Sequence, residues 1–351
     1  MAILKCKMCG GTLEYLSGQN LAVCPYCGSK STVFDQDQKL FEQFQNQFAV
    51  LLNQSPKPGP EEGFWVEANR EELVREDGEK IEIKYLAKRR ADMCTMYVAR
   101  YSIIYLFEER HREYAERYRE MIQKIKYPNQ EMEKELSKYI PELLTEYRLT
   151  DGRIFVAVRK REGVYPLQML GILLDRHVAW IISRLENLCC LLDYNDMVLN
   201  ALTPENLFVD PANHQIYLYG GWWFAGYQGA KASGASEAVI PCLGAGRMGL
   251  GKHVAGQMPR NRIRTDLESI RLTGIKLLGY ADREALKQDT LLPKPFRDFL
   301  LDRPEHTPKA DFARWDRVLL SSYGERKFIP LAMTEEEIYS RTCEENDSSG
   351  G

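Results

Sequence analysis

Between Leu167 and Leu192 apolar residues recur at three- and four-residue intervals, through Leu170, Leu173, Leu174, Val178, Ile181, Leu185 and Leu188, with Asp175 and Arg176 turned outward. That period gives a helix one apolar stripe, so a helical region is expected from about Pro166. A second stripe, Phe41, Phe44, Phe48, Leu51 and Leu52, predicts an amphipathic helix over 35–53. Ser55-Pro-Lys-Pro-Gly-Pro60 then ends it and stiffens the linker. The stripe is expected to pack on the domain that follows, a partner or self-association helix being the alternative. Strands are predicted over Met93 to Arg100, and again as a hairpin from Tyr139 to Leu149 and Arg153 to Val158, hinged on Thr150-Asp-Gly152. Glu108 to Ile125 reads as a charged helix, with further helices from Asp266, over Pro293 to Leu301 and over Phe312 to Leu320. Glu344 to Gly351 is acidic and poor in apolar residues, as a disordered tail would be.

The N-terminus obeys a different rule. Cys6-Lys-Met-Cys9 and Cys24-Pro-Tyr-Cys27 are two Cys-x-x-Cys turns with 14 residues between them. Such turns can present four thiolates to zinc, with Thr12 to Tyr15 and Asn20 to Val23 as the connecting hairpin. The pattern resembles a zinc ribbon. Cys6, Cys9, Cys24 and Cys27 would fill all four coordination positions, so the zinc is expected to be structural and to supply the folding energy of a unit too small for a core of its own.

Bulk properties narrow the classes. The chain has 351 residues, 44% of them apolar, enough for two or three domains around a sizeable core. A net charge of −3 on a mixed surface offers no general attraction to nucleic acid or anionic lipid, and the ribbon carries only Lys5, Lys7 and Lys30 as cations. No apolar run reaches the roughly 18 residues of a membrane span, and Met1 to Cys9 lacks a signal-peptide core. The cytoplasm is the default location, a protein partner is expected, and neither membrane nor nucleic acid is. Cys189, Cys190 and His177 lie on the apolar helical stretch and read as packed side chains rather than reactive ones.

Candidate chemistry centres on Met197 to Trp222. Leu202, Pro204, Glu205 and Asn206 resemble the end of the protein-kinase catalytic loop, His-Arg-Asp-Leu-x-Pro-x-Asn, and Gly220-Gly221-Trp222 stands where the family has Asp-Phe-Gly. The resemblance covers roughly 64–330. It implies an α+β chain: a bilobal protein-kinase-like fold preceded by a small β zinc ribbon. The implied divisions are a ribbon at 1–34, helix and linker at 35–60, a small lobe at 61–165, a large helical lobe at 166–335 and a tail at 336–351. It also implies that Asp266 braces the catalytic loop.

Three family residues are missing. Ala201 stands at the catalytic base and Gly220 at the magnesium carboxylate. The lysine that pairs with nucleotide phosphates falls either at Tyr97 or, in a competing register, at Lys84 of Ile81-Glu82-Ile83-Lys84. Glu116 and Glu120 are candidates for its helix partner, or members of a solvated charge face. Asn206 is retained. Trp222 and Trp223 either fill the emptied space or belong to the core.

Two glycine-rich patterns compete for attention. Gly244-Ala-Gly246-Arg-Met-Gly249 lacks the βαβ context of a dinucleotide fingerprint, and Gly246-Arg-Met-Gly-Leu-Gly251-Lys252-His253 has His253 where a phosphate loop needs Ser or Thr. Both read as a glycine-rich loop. Arg260, Arg262 and Arg264 read as a solvated basic strip or, alternatively, an anion site.

The functional expectation is a pseudokinase scaffold or regulatory protein-binding module, with structural zinc and with the losses telling against ATP and magnesium. The alternative is an atypical nucleotide-dependent transferase or divergent kinase using Asn206, Lys84 or Lys252 and carboxylates such as Asp193, Asp196 or Asp210.

Overall fold

Antiparallel hydrogen-bonded ladders account for the strands among the described residues. The computed structural model describes the strands β1 (Glu14–Tyr15), β2 (Leu21–Val23) and β3 (Lys30–Thr32), residues 68–228 and 263–325, and residues 328, 329, 331, 333, 335, 338 and 339. The four paired cysteines, the 35–60 helix and linker, both glycine-rich patterns, Arg260, Arg262 and residues 340–351 lie outside the described residues.

The three N-terminal strands form one antiparallel sheet in the order β1-β2-β3. Glu14 pairs with Val23 and Leu21 with Thr32. After residue 67 comes a hairpin of β4 (Asn69–Val74) and β5 (Lys80–Tyr85), closed by a turn in which Gly78 takes φ 87°. Positive φ is where glycine escapes the Cβ clash other residues meet. Next are β6 (Ala87–Ala91), β7 (Cys94–Val98) and β8 (Ser102–Phe107). Helix α1 (Arg112–Gln123) follows, then α2 (Gln130–Leu136), whose first turn is capped by the Asn129 side chain accepting the Met132 N–H at 2.8 Å. Strands β9 (Leu143–Arg148) and β10 (Ile154–Arg159) complete a five-stranded antiparallel sheet in the order β6-β7-β8-β10-β9.

The central strands β7, β8 and β10 are buried on both faces. Val98, Ile103, Tyr105, Phe107, Val156 and Val158 face the main core with α1. Tyr97, Ile104, Leu106, Phe155 and Ala157 face the other way, under Leu73 and Ile83 of the β4–β5 hairpin. Double burial erases alternation, and Ser102-Ile-Ile-Tyr-Leu-Phe107 is an uninterrupted apolar run for that reason.

The strand that runs into α1 is therefore β8, and the segment around Tyr97 is one strand earlier.

The chain then passes through β11 (Tyr165–Pro166) into the helical unit. The apolar period begun at Leu167 is broken: a 3-10 turn, Leu167–Leu170, ends at Gly171 with φ 67°, and α3 starts at Asp175 and runs to Tyr194. Short strands β12 (Met197–Val198), β13 (Leu207–Asp210), β14 (Gln215–Leu218) and β15 (Gly226–Tyr227) hold the loops beyond it. Helices α4 (Ile263–Leu277), α5 (Arg283–Lys287), α6 (Lys294–Leu301) and α7 (Pro308–Tyr323) finish the unit. His177 and Cys189 are buried on α3, and burial pushes the Cys189 thiol well up. Ile338 and Tyr339, which the sequence reading assigned to a disordered tail, are buried; the Tyr339 ring meets Tyr165 with centroids 5.9 Å apart. No helix among the described residues is long and apolar enough to cross a membrane.

At the centre of the helical unit Arg271 of α4 is wholly buried with Glu186 of α3 and Asp311 of α7. Its guanidinium donates to Glu186 at 2.9 Å and to Asp311 at 2.7 Å, and lies over the Phe299 ring at 3.8 Å. Burial, reinforced by the nearby charge of Asp311, pushes the Glu186 carboxyl well above the usual range against the pull of Arg271. The two carboxyl groups share one guanidinium nitrogen, 2.9 Å from Glu186 and 2.6 Å from Asp311. Arg271→Met strands both buried acid groups and is expected to cost about 3–5 kcal/mol in urea unfolding, whereas Glu186→Gln keeps an acceptor for Arg271 and leaves it the Asp311 carboxylate, and is expected to cost less. Equal losses in the two variants would show that Asp311 alone does not compensate Arg271.

Candidate functional site

Asp266, near the start of α4, has no exposed surface and accepts the backbone N–H of Leu199 at 2.7 Å and of Asn200 at 2.8 Å. Burial raises its carboxyl to about 7 while the two N–H donors pull it down. The loop it grips needs such a grip, because Asn200 sits at φ 59°, a conformation Asn tolerates better than most residues. Two more groups on the same helix hold the loop: Thr273 donates to the Leu202 carbonyl at 3.1 Å, and Lys276 pairs with Glu205.

The loop places Ala201 and Asn206 against the Gly220-Gly221 pair. The Asn206 side-chain amide donates to the Ala201 carbonyl at 3.2 Å and to the Thr203 hydroxyl at 3.4 Å, while the Gly220 N–H donates to the Asn206 carbonyl at 3.1 Å. A Cβ on Gly220 would lie 2.4 Å from Asn206 Oδ1 and 3.2 Å from its Cα. Gly221 has φ 82°, and a Cβ there would meet the Ala201 Cβ at 2.8 Å. Position 220 therefore has no room for any side chain while Asn206 keeps this rotamer. A magnesium-holding carboxylate does not fit there with Asn206 so placed.

Just after the glycines the chain makes a 3-10 turn, Trp222–Phe224, that is fully enclosed. Trp222 donates its indole N–H to the Leu218 carbonyl at 2.8 Å. Trp223 inserts among the rings of Tyr105 (5.4 Å between centroids), Phe107 (5.7 Å) and Tyr118 (6.0 Å). Tyr118, in the middle of α1, donates its hydroxyl to the Tyr219 carbonyl at 2.6 Å. One aromatic block thus joins β8, α1 and the loop before Gly220. Burial pushes the Tyr105 and Tyr118 hydroxyls well above the ordinary phenol range, so both rings are neutral.

The remaining candidates lie elsewhere. Tyr97 faces away from α1; its hydroxyl donates to Glu71 at 3.1 Å, and the Lys88 ammonium sits 5.0 Å over its ring. Lys84 is on β5, in the hairpin covering the outer face of the sheet. Glu116 pairs with Arg112 at 2.8 Å and Glu120 with Lys124 at 3.6 Å, both along the exposed side of α1. Arg264 donates to the Pro304 carbonyl at 3.1 Å. Asp193 is exposed and accepts from Gln228 at 3.1 Å, and Asp210 accepts from Asn213 at 2.7 Å; neither lies in the Ala201–Gly220 contact. Sequence reasoning picked out Trp222 and Trp223 but passed over Tyr105 and Tyr118. The signal for Tyr118 was present: Ala115, Tyr118, Met121 and Ile122 are the inward stripe of an otherwise charged helix. Among the described residues no cluster of three or more His, Cys, Asp or Glu could hold a metal ion.

No family model matches the chain, and no curated protein matches it by sequence. Among solved structures, vaccinia related kinase 3 is 17% identical at a TM-score of 0.48, with 75% of this chain and 95% of that chain covered. A specific rhoptry antigen kinase domain of Toxoplasma gondii is 12% identical at 0.47, covering 80% and 92%. The ROP18 kinase domain in complex with AMP-PNP and sucrose is 11% identical at 0.46, covering 82% and 93%.

Gly220→Ala is expected to destabilise the protein by about 1–3 kcal/mol through overpacking against Asn206. Asn206→Ala opens the space, so in the double variant the cost of the added methyl is expected to fall by about 1 kcal/mol or more. Additive losses in urea unfolding would refute the contact.

Proposed function

We propose that this chain is a degenerate kinase-like scaffold, a regulatory module that binds another protein and transfers no phosphoryl group, with a structural zinc ribbon at its N-terminus. The kinase-like reading draws its support from the chain's own geometry: a five-stranded antiparallel sheet with α1 between its third and fourth strands in sequence, a following helical unit, and a buried Asp266 bracing the Leu199–Asn206 loop. In this register Tyr105 of β8, rather than Tyr97 or Lys84, stands at the lysine position, and Tyr118 of α1 stands opposite it, 5.5 Å away between ring centroids.

One observation carries the inactive reading: Asn206 fills the space that a side chain at position 220 would need. Phosphoryl transfer depends on a metal carboxylate, a base and a phosphate-pairing lysine held together, and removal of a positioned acid or base alone commonly costs about 10²–10⁴ in rate. Here Gly220, Ala201 and Tyr105 occupy those places, and Trp223 is packed between the last of them and α1. A protein partner and a cytoplasmic setting belong to the same proposal, as do the divisions near residues 60 and 165. The zinc ribbon rests on the cysteine spacing, with support from the β1-β2-β3 sheet: Cys24 follows β2 directly in sequence, and two residues separate Cys27 from β3.

Thermal unfolding of the zinc-loaded chain with ATP or GTP, with and without magnesium, tests the first claim. A ligand at 100 times its Kd stabilises the folded state by about 2.7 kcal/mol, so binding is visible without knowing a substrate. No shift in Tm is expected. A magnesium-dependent rise would overturn the proposal in favour of an atypical nucleotide-dependent transferase or a divergent kinase. For the ribbon, elemental analysis of the purified chain is expected to give about one zinc per chain, and Cys6→Ser with Cys24→Ser is expected to abolish it, four thiolates being needed for a closed structural site. Retention of zinc by that variant would place the metal elsewhere.

A further inference from the structure

Behind the connection from β10 to the helical unit lies a half-open cavity of about 440 Å³. It is separate from the Ala201–Gly220 contact. Its apolar part comes from the end of α1 and the loop into β9, through Ile122, Ile125, Ile140 and Pro141. Tyr217 and Tyr219, both on the β14 side, form an aromatic wall with ring centroids 5.3 Å apart. Lys138, Arg159 and Arg161 also line it, against the single carboxylate of Glu142.

These cations are not equivalent. Arg159 is paired with Glu142 at 2.8 Å and Lys138 with Glu135 at 3.4 Å. No carboxylate among the described residues lies within salt-bridge distance of Arg161, whose positive charge pulls the Tyr217 and Tyr219 hydroxyls down against the rise caused by their burial. The guanidinium therefore stands near two buried tyrosines without a carboxylate partner, at the edge of an aromatic and aliphatic cavity. Cavities of a few hundred Å³ with apolar walls and few convergent polar groups are the usual form of small-molecule sites. Guanidinium groups favour carboxylate and phosphate, which they bind through paired N–H donors.

We propose that this cavity binds a small amphipathic anion, with a carboxylate or phosphate head on Arg161 and an aromatic or aliphatic body against Tyr217, Tyr219 and Ile140. The site is independent of nucleotide binding at the front of the molecule and stands whether or not the front site proves empty.

The probe is 1-anilinonaphthalene-8-sulfonate, an aromatic anion whose fluorescence rises in an apolar environment, titrated into the full-length, zinc-loaded chain. Saturable binding of one probe per chain is expected, weakened roughly tenfold by Arg161→Glu, as loss of one charge-assisted contact predicts. Because Arg161 is exposed, that variant is expected to fold as the parent does, with an unchanged Tm. Ile140→Trp fills the cavity and is expected to remove binding. Displacement by oleate identifies a lipid-derived ligand and displacement by AMP a nucleotide-derived one; either supports the site. Absence of saturable binding, unchanged affinity in a folded Arg161→Glu variant, or displacement by neither competitor overturns it.

Discussion

The structure depends on one carboxylate taken out of water to hold two peptide N–H groups. Asp266 has no exposed surface, and burial alone would make a charged side chain there costly. Its contacts at 2.7 and 2.8 Å repay part of that cost and fix the backbone at Leu199 and Asn200 in a strained left-handed turn. With the turn fixed, Ala201 and Asn206 have no choice of position. The Asn206 amide then bonds the Ala201 carbonyl, its oxygen occupies the space beside Gly220, and the Gly220–Gly221 backbone closes against both. Remove the carboxylate and the loop loses the anchor on which the glycine contact relies.

The second consequence concerns the sheet and α1. A lysine and a glutamate facing each other across an enclosed space require phosphate, metal or water to remain satisfied, since charges without partners are expensive in a dry interior. Tyr105, Tyr118 and Trp223 make no such demand. Each buries a large apolar surface, on the order of 150–250 Å², and edge-to-face contacts such as Trp223 on Tyr105 add about 0.5–1.5 kcal/mol beyond area. The aromatic block is stable with nothing bound. The Trp223 indole N–H and the Tyr105 hydroxyl find no partner among the described residues, a cost that burial of these rings outweighs.

How much of this was legible in the sequence varies with the physics of each element. Helices with a single buried stripe, such as α1 and α7, announce themselves by period. The bracing role of Asp266 followed from its place at the head of α4 together with the loop pattern through Leu202, Pro204 and Asn206. Strand β8 was missed because both faces are covered, so Ser102 to Phe107 shows no alternation, and the strand before α1 was read at Met93 to Arg100 instead. The break at Gly171 was hidden inside a continuous apolar period, which cannot distinguish one helix from a 3-10 turn and a helix. The Asn206–Gly220 contact was beyond any pattern. Residues 14 apart in sequence meet there through a β-hairpin, and sequence showed only that a carboxylate was missing, not that its space was filled.

Tyr219 links the two sides of the molecule. Its carbonyl accepts the Tyr118 hydroxyl from α1 at 2.6 Å, and its ring lines the cavity beside Arg161. For α1 to swing away from the helical unit, a buried hydrogen bond must break and the Trp223 stack on Tyr118 must part. The bond alone is worth about 0.5–1.5 kcal/mol when made, and leaving its groups buried and unpaired costs about 1–3 kcal/mol each. Any movement of α1 away from the helical unit would have to break these contacts and remake them. The proposed role as a protein-binding module makes no such demand, whereas opening and closing around a nucleotide would make it at every turnover.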